Sequence, residues 1–110
     1  MTSERDQSYV GHIVDSIDLI RRYVATDPAA LSQEGAIRDA VVWRLETIGE
    51  AAGHLSPEFR GRHPEIPWAA IRAFRNIAAH GYLTLRSERV REIVDRHLEP
   101  LREALSAETM

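Results

Sequence analysis

The stretch that decides the fold reads VGHIVDSIDLIRRYV and occupies residues 10–24. Its apolar residues recur at spacings of three and four, which places them on one side of an α-helix. They are Val10, Ile13, Val14, Ile17, Ile20 and Val24. Charged side chains such as Asp15 fall on the opposite side. The pattern predicts a helix from about Asp6 to Ala25, ended by Thr26-Asp27-Pro28 because the residue before a proline avoids helical geometry.

The same period recurs in later segments. A second helix is predicted over residues 32–54, and the small residues near its end, at 49–53, indicate a close crossing with another helix. A further helix begins at residues 66–68 and should end near Ala79, where Gly81 fits the left-handed position that closes a helix. The last helix begins after Ser87 as N-cap and is expected to kink or reset at Pro100.

A short extra helix is predicted between the second and third of these. Ser56 is a good N-cap, and Pro57 suits the first turn, where its missing N–H does no harm. No segment alternates as a strand would. We therefore predict an all-α fold, an up-and-down four-helix bundle with one short extra helix, in a single domain over residues 1–110.

Composition narrows the classes of protein to consider. The 110 residues include no cysteine, which removes disulfides, thiolate metal ligands and thiol nucleophiles. No apolar run approaches the roughly 20 residues that span a bilayer. The polar start, MTSERDQSYV, lacks the pattern of a signal peptide. We therefore expect a soluble, cytoplasmic protein without a membrane segment.

Charge is distributed unevenly along the chain. The net charge of −3 argues against non-specific coating of nucleic acid. Residues 60–91, however, carry seven arginines against two acids, a local net of +5. A basic segment within an otherwise acidic chain is typical of a local site for an anionic ligand. The acidic remainder could instead form a surface that binds a protein partner. The alternative is that helix ends and a loop merely collect arginines.

The five histidines are scattered and lack the spacing of a metal site, and the chain has no glycine-rich phosphate loop. We therefore predict neither a metal nor a cofactor. His97 lies on an apolar stripe and is expected in the core. His12 and His54 are expected at the surface or at a helix end.

The segment RNIAAHGY, residues 75–82, holds complementary chemistry. Histidine takes or gives a proton near neutral pH, and the planar fork of arginine matches a phosphate and stabilises charge that grows on it. Cleavage of RNA without a metal requires both functions, so Arg75 and His80 are the candidate catalytic pair. In an unbroken helix the two side chains would point about 140° apart. The pairing therefore requires the helix to end near Ala79.

A structural alternative stays open at this point. Arg75 could pair with an acid such as Glu50 across the bundle, His80 could cap a helix, and Tyr82 could pack behind it. An arginine and a histidine five residues apart also occur often by chance.

Three pieces of the chain together resemble one family. Residues 44–52 read RLETIGEAA, residues 66–68 read IPW, and residues 75–82 carry the run R-x4-H-x-Y. In this order and at these helical positions, they are similar to the HepT-type branch of the HEPN-domain proteins. The resemblance covers most of the chain, and the R-x4-H-x-Y run is its most specific piece.

The resemblance implies a HEPN-like bundle that forms a homodimer and acts as a metal-independent endoribonuclease, the toxin of a bacterial toxin–antitoxin pair. By the motif match, Arg75 and His80 would be catalytic, with Asn76 and Glu50 in support. Tyr82 would be the tyrosine to which a cognate antitoxin, a minimal nucleotidyltransferase of the MntA type, adds AMP to silence the enzyme.

The substrate implied is RNA, either tRNA or mRNA, and Arg72 and Arg86 are candidates for binding it. A two-fold dimer that brings two copies of the site together would supply both an acid and a base. Two alternatives remain. One is a non-catalytic helical module that docks a nucleotidyltransferase and binds nucleotide or RNA. The other is a purely structural interaction domain with Arg75 in a salt bridge.

Overall fold

The structure, a computed structural model, describes residues 2–32, 35–77 and 87–108. These residues form six α-helices: α1 Glu4–Thr26, α2 Ala36–His54, α3 Pro57–Gly61, α4 Trp68–Ala73, α5 Ser87–Arg96 and α6 Leu98–Ser106. Two 3₁₀ segments lie at Pro28–Ser32 and Phe74–Asn76. No strand occurs in the three described ranges, and the predicted all-α bundle is confirmed. The assignment of residues 1–110 to one domain stays a prediction.

The two long helices form the centre of the bundle. α1 packs along α2, and most of the apolar stripe of each helix is fully buried. The fully buried residues are Val10, Ile13, Ile17 and Ile20 on α1 and Val41, Leu45, Ile48 and Ala52 on α2, whereas Val14 and Val24 of the α1 stripe are partly buried. α6 packs on α1, α5 packs on α6, and α2 also contacts α4 and the 3₁₀ segment Phe74–Asn76.

Serine caps set the starts of two helices, and one buried acid joins them. Ser3 accepts a hydrogen bond from the Asp6 N–H at 3.1 Å, and Ser56 accepts one from the Phe59 N–H at 3.1 Å, so α3 begins at Pro57 as predicted. The N–H and hydroxyl of Ser56 donate to the two carboxylate oxygens of Asp6 at 2.9 and 2.7 Å. Burial alone would raise the pKa of Asp6, but these hydrogen bonds outweigh it and hold that pKa below its usual value.

The helix that begins at Trp68 is shorter than predicted. Its α-helical winding ends at Ala73 rather than near Ala79, and the 3₁₀ segment Phe74–Asn76 follows, with the Ile77 N–H donating to the Phe74 carbonyl at 3.1 Å. Such a tighter turn is a common helix ending, and here it occurs where the chain crosses α2. The predicted terminators, Ala79 and Gly81, lie outside the described residues.

The C-terminal helix is divided, as Pro100 predicted. α5 ends at Arg96, α6 begins at Leu98, and His97 lies between them. Pro100 has no N–H to donate to the Arg96 carbonyl, and its ring would clash with that carbonyl in a continuous helix. A new helix therefore starts, with Pro100 in its first turn.

A polar network joins residues that are distant in sequence beside α3. Glu108 accepts hydrogen bonds from Thr2 Oγ1 at 2.7 Å and from Arg62 Nε and Nη2 at 3.3 Å each. His63 Nε2 lies 2.6 Å from the same carboxylate. The hydrogen bonds from Thr2 and Arg62 are the main cause that lowers the pKa of Glu108 to about 2. The network holds the chain after α6 against the start of α1.

None of the helices in the described ranges combines the length and the apolar character that crossing a membrane requires.

Candidate functional site

The segment that carries Arg75 crosses α2 at Gly49. A Cβ atom added at Gly49 would lie 2.5 Å from the Arg75 backbone nitrogen, 3.0 Å from the Ile71 carbonyl oxygen and 3.1 Å from that of Arg72. All three distances are shorter than ordinary contact, so glycine is required for the two backbones to approach this closely. The close crossing predicted from the small residues of α2 is confirmed, and it fixes the backbone position of Arg75.

Buried apolar side chains hold this segment to the bundle while its arginines face outward. Ile71 and Phe74 are buried in the core. Arg72 and Arg75 are exposed, and Asn76 is partly buried. The guanidinium of Arg75 is therefore accessible from solvent, although its backbone is held against α2.

Trp68, of the Ile-Pro-Trp piece, fixes the start of α4. Its Nε1 donates to the carbonyl oxygens of Arg60 and His63 at 3.1 and 3.0 Å. Its ring also meets the buried Phe59 ring edge-on, with centroids 6.4 Å apart. The end of α3 and the start of α4 are thereby joined, which sets the direction in which α4 approaches α2.

Five of the seven arginines of the basic segment fall into two groups; of the other two, Arg60 is partly buried and Arg86 lies outside the described residues. Arg62, Arg89 and Arg91 lie next to carboxylates, at nitrogen–oxygen distances of 3.3, 3.0 and 3.8 Å. Arg72 and Arg75 form no salt bridge with any described residue. The interpretation that arginines simply collect at helix ends therefore fits the first group. The second group keeps cations that an anionic ligand can reach.

Glu50 lies in a groove between α1 and α2. His54 Nε2 is hydrogen-bonded to its carboxylate at 3.1 Å. The His54 ring stacks on Tyr9, with centroids 5.0 Å apart and planes 11° apart. The groove has a volume of about 510 Å³ and also includes His12. Among the described residues Glu50 makes no ion pair with Arg75, so the salt-bridge alternative gains no support from these contacts.

Three of the predicted site residues, His80, Tyr82 and Arg86, lie outside the described residues. Their assigned roles stay predictions.

The described histidines occupy different environments. His12 and His54 are exposed, as expected, and His97 is partly buried with its ring edge-on to Phe74 at 6.2 Å. His63 takes part in the network around Glu108, a role that the sequence did not suggest. Within the described ranges, no group of three or more His, Asp or Glu side chains is arranged to hold a metal ion.

Glu46 belongs to the RLETIGEAA piece at residues 44–52, and no role was predicted for it. It lies on α2, one turn before Gly49, and is partly buried. Burial raises the pKa of Glu46 above its usual value. No hydrogen bond or ion pair joins it to another described residue. The sequence feature that could have drawn attention to Glu46 is its position three residues before Gly49.

Comparison with known proteins identifies the family of the chain. The family model described as "Ribonuclease HepT-like" matches residues 13–108. The chain therefore belongs to the HepT-like ribonuclease family, and the resemblance drawn from the sequence is confirmed.

Curated relatives carry ribonuclease names. "Probable ribonuclease HepT" of Thermococcus cleftensis is 31% identical over 81 residues, which is 69% of this chain and 70% of that protein. "Putative RNase TTE0752" of Caldanaerobacter subterraneus subsp. tengcongensis is 33% identical over 79 residues, 67% of each chain. "Gamma-glutamylcyclotransferase and putative RNase MJ0434" of Methanocaldococcus jannaschii is 32% identical over 99 residues, 88% of this chain and 44% of that protein. The chain thus spans less than half the length of this last relative. No solved structure matches the chain.

Proposed function

We propose that this protein is an endoribonuclease that cleaves RNA without a metal ion, with Arg75 and His80 as its catalytic residues. The observation that supports this most is the placement of Arg75. Its backbone is fixed at the Gly49 crossing, and its exposed guanidinium has no salt bridge to a described residue. Membership of the HepT-like ribonuclease family supports the choice of reaction.

In the proposed reaction, the guanidinium of Arg75 binds the scissile phosphate and stabilises the charge that develops on it. In the proposed homodimer, the neutral His80 of the second copy takes the proton of the ribose 2′-hydroxyl as the 2′-oxygen bonds to phosphorus, while the bond from phosphorus to the 5′-oxygen breaks. Protonated His80 gives its proton to that leaving oxygen. The products are a 2′,3′-cyclic phosphate and a 5′-hydroxyl end.

Neighbouring residues complete the proposed site. Arg72 is exposed one turn before Arg75, and it is proposed to bind a flanking phosphate together with Arg86. Asn76 and Glu50 are proposed as supporting residues. The substrate is tRNA or mRNA.

A homodimer is part of this proposal. Trp43 on α2 is a large apolar side chain that is 63% exposed, and burying such a side chain against a second copy would stabilise an interface. Size-exclusion chromatography with light scattering should give twice the chain mass. Trp43→Ala should weaken the association if this face contributes.

Regulation by a partner is proposed from the motif match. A cognate nucleotidyltransferase of the MntA type would add AMP to Tyr82, two residues after His80. The added anion would compete with the substrate phosphate for Arg75 and block access. The protein would then be the toxin of a cytoplasmic toxin–antitoxin pair.

The test is cleavage of tRNA and mRNA by purified protein in EDTA, after intact-mass measurement shows that Tyr82 carries no AMP. Wild type should leave 2′,3′-cyclic phosphate ends. Arg75→Ala and His80→Ala should each lose at least about 10²-fold in rate while keeping their fold. Arg22→Ala, an exposed arginine on α1, is the control and should keep the wild-type rate.

Absence of cleavage by unmodified wild type would refute the ribonuclease. RNA or nucleotide binding without cleavage would then favour the non-catalytic module that docks a nucleotidyltransferase. Loss of stability in Arg75→Ala without any nucleic-acid binding would favour the structural interaction domain.

A further inference from the structure

Two aromatic side chains, one from α1 and one from α2, stack on each other at the surface. The rings of Tyr9 and His54 have centroids 5.0 Å apart and planes 11° apart. Tyr9 packs against the hydrophobic core. Glu50, one turn before His54, has its carboxylate 3.1 Å from His54 Nε2. The histidine ring is therefore held by a tyrosine that is anchored in the core and by a carboxylate of its own helix.

The His54 ring remains open to a ligand. Tyr9 covers one of its faces and Glu50 meets its Nε2 edge, yet the side chain is 43% exposed. Both rings line the groove between α1 and α2, together with His12 and Thr47. The volume of this groove, about 510 Å³, lies within the roughly 300–1,000 Å³ of ligand-binding sites. A planar ligand can therefore extend the stack from the free face of His54.

Cations lie at both ends of the stack. On α1, Arg5 Cζ lies 5.8 Å from the centroid of the Tyr9 ring. On α2, a Cβ atom at Gly53 would lie 3.7 Å from Arg72 Nε, and Gly53 directly precedes His54, with successive Cα atoms about 3.8 Å apart. Arg5 and Arg72 are exposed, and neither forms a salt bridge with a described residue.

An aromatic stack between two exposed arginines matches the chemistry of single-stranded RNA. Unpaired bases stack on aromatic side chains, while cations bind the phosphates along the strand. The planar fork of arginine suits those phosphates. In the proposed function Arg72 binds the phosphate that flanks the scissile one at Arg75, so a strand that continues past Arg72 reaches His54 next.

We propose that the Tyr9–His54 stack is a subsite for an unpaired base of the RNA substrate, an inference that rests on the proposed function. The base stacks on the free face of His54, and Arg72 and Arg5 bind the phosphates on either side of it. Because a larger ring system gains more from stacking, adenine binds here more tightly than uracil. The subsite thus selects unpaired RNA with a purine near the cleaved bond.

The test is the binding of fluorescein-labelled oligoadenylate and oligouridylate, measured by fluorescence anisotropy in EDTA. The 2′-oxygens of both oligomers are methylated, so they cannot attack phosphorus and binding is measured without cleavage. Wild type should bind oligoadenylate more tightly than oligouridylate. His54→Ala removes an exposed ring and should weaken the binding of oligoadenylate about 5- to 10²-fold, with a smaller effect on oligouridylate.

Further variants make the test specific to stacking and to charge. His54→Tyr restores an aromatic ring without the imidazole and should recover most of the affinity for oligoadenylate. Arg5→Ala should weaken the binding of both oligomers alike and lower the slope of log Kd against log salt concentration by about 0.7, since one phosphate contact is lost. Arg22→Ala, an exposed arginine on α1, is the matched control and should leave affinity and slope unchanged. Far-UV circular dichroism would verify that each variant is folded.

The outcomes separate this inference from the proposed function. If wild type cleaves RNA but His54→Ala binds both oligomers as tightly as wild type does, the subsite is overturned and the ribonuclease stands. Equal losses for the two oligomers, or no recovery of affinity in His54→Tyr, also overturn the stacking role. If wild type shows the adenine preference and loses it in His54→Ala, but cleaves neither tRNA nor mRNA, the ribonuclease is refuted and the base subsite stands.

Discussion

Replacing Gly49 with alanine tests the helix crossing on which the site depends. The added Cβ atom would meet three backbone atoms, the nearest being the Arg75 nitrogen at 2.5 Å, whereas ordinary contact begins at 3.4 Å. Because backbone atoms of a packed segment cannot rotate away, α4 and the 3₁₀ segment must retreat from α2 by about 1 Å. The substitution therefore acts on the position of Arg75 without touching its side chain.

The expected magnitude combines two opposing effects. Alanine in place of glycine inside a helix stabilises by about 1 kcal/mol, whereas overpacking of a close contact costs about 1–3 kcal/mol. With three backbone contacts to relieve, we place the cost at the upper end of that range. We therefore expect Gly49→Ala to lose about 1–2 kcal/mol, which lowers Tm by about 4–8 °C in a chain of this size.

Gly11 provides a matched control in α1. A Cβ atom at Gly11 would meet nothing within 4 Å, so Gly11→Ala should gain about 0.5–1 kcal/mol. Thermal and urea denaturation followed by far-UV circular dichroism would measure both variants. Opposite signs for the same chemical change would support the crossing. Equal stabilisation of both variants would refute it, because α2 and the Arg75 segment would then not be in close contact.

Two other features of the bundle give direct predictions. Asp6→Ala should lose about 2–3 kcal/mol of unfolding free energy, because the N–H and hydroxyl of the partly buried Ser56 lose their acceptor. Urea denaturation would measure the loss, with the exposed-site variant Asp15→Ala, expected within about 0.5 kcal/mol of wild type, as the control. The lowered pKa of Glu108, about 2, means that its ionised carboxylate contributes to folding stability above pH ~4.5. This contribution is lost as pH falls toward about 2. Glu108→Gln should therefore lose about 1–2 kcal/mol at neutral pH and show a flatter stability profile between these pH values. An unchanged profile would contradict the assignment.

The sequence by itself determined the features that depend on neighbours along the chain. The three-and-four spacing of Val10, Ile13 and Ile17 predicted α1, because a helix places such residues on one face. Ser56 and Pro57 predicted the start of α3, and Pro100 predicted the division between α5 and α6, since capping and the missing N–H are local effects. The R-x4-H-x-Y run, a local pattern too, identified the family.

The tertiary structure decided what depends on residues that are distant in sequence. The small size of Gly49 suggested a crossing, but only packing shows that its partners are the backbone atoms of Ile71, Arg72 and Arg75. Likewise, Arg62 is neutralised by Glu108, 46 residues away, while Arg72 has no such partner among the described residues. Charge pairing and desolvation depend on distances in space, and one-dimensional spacing fixes those distances only within a single helix.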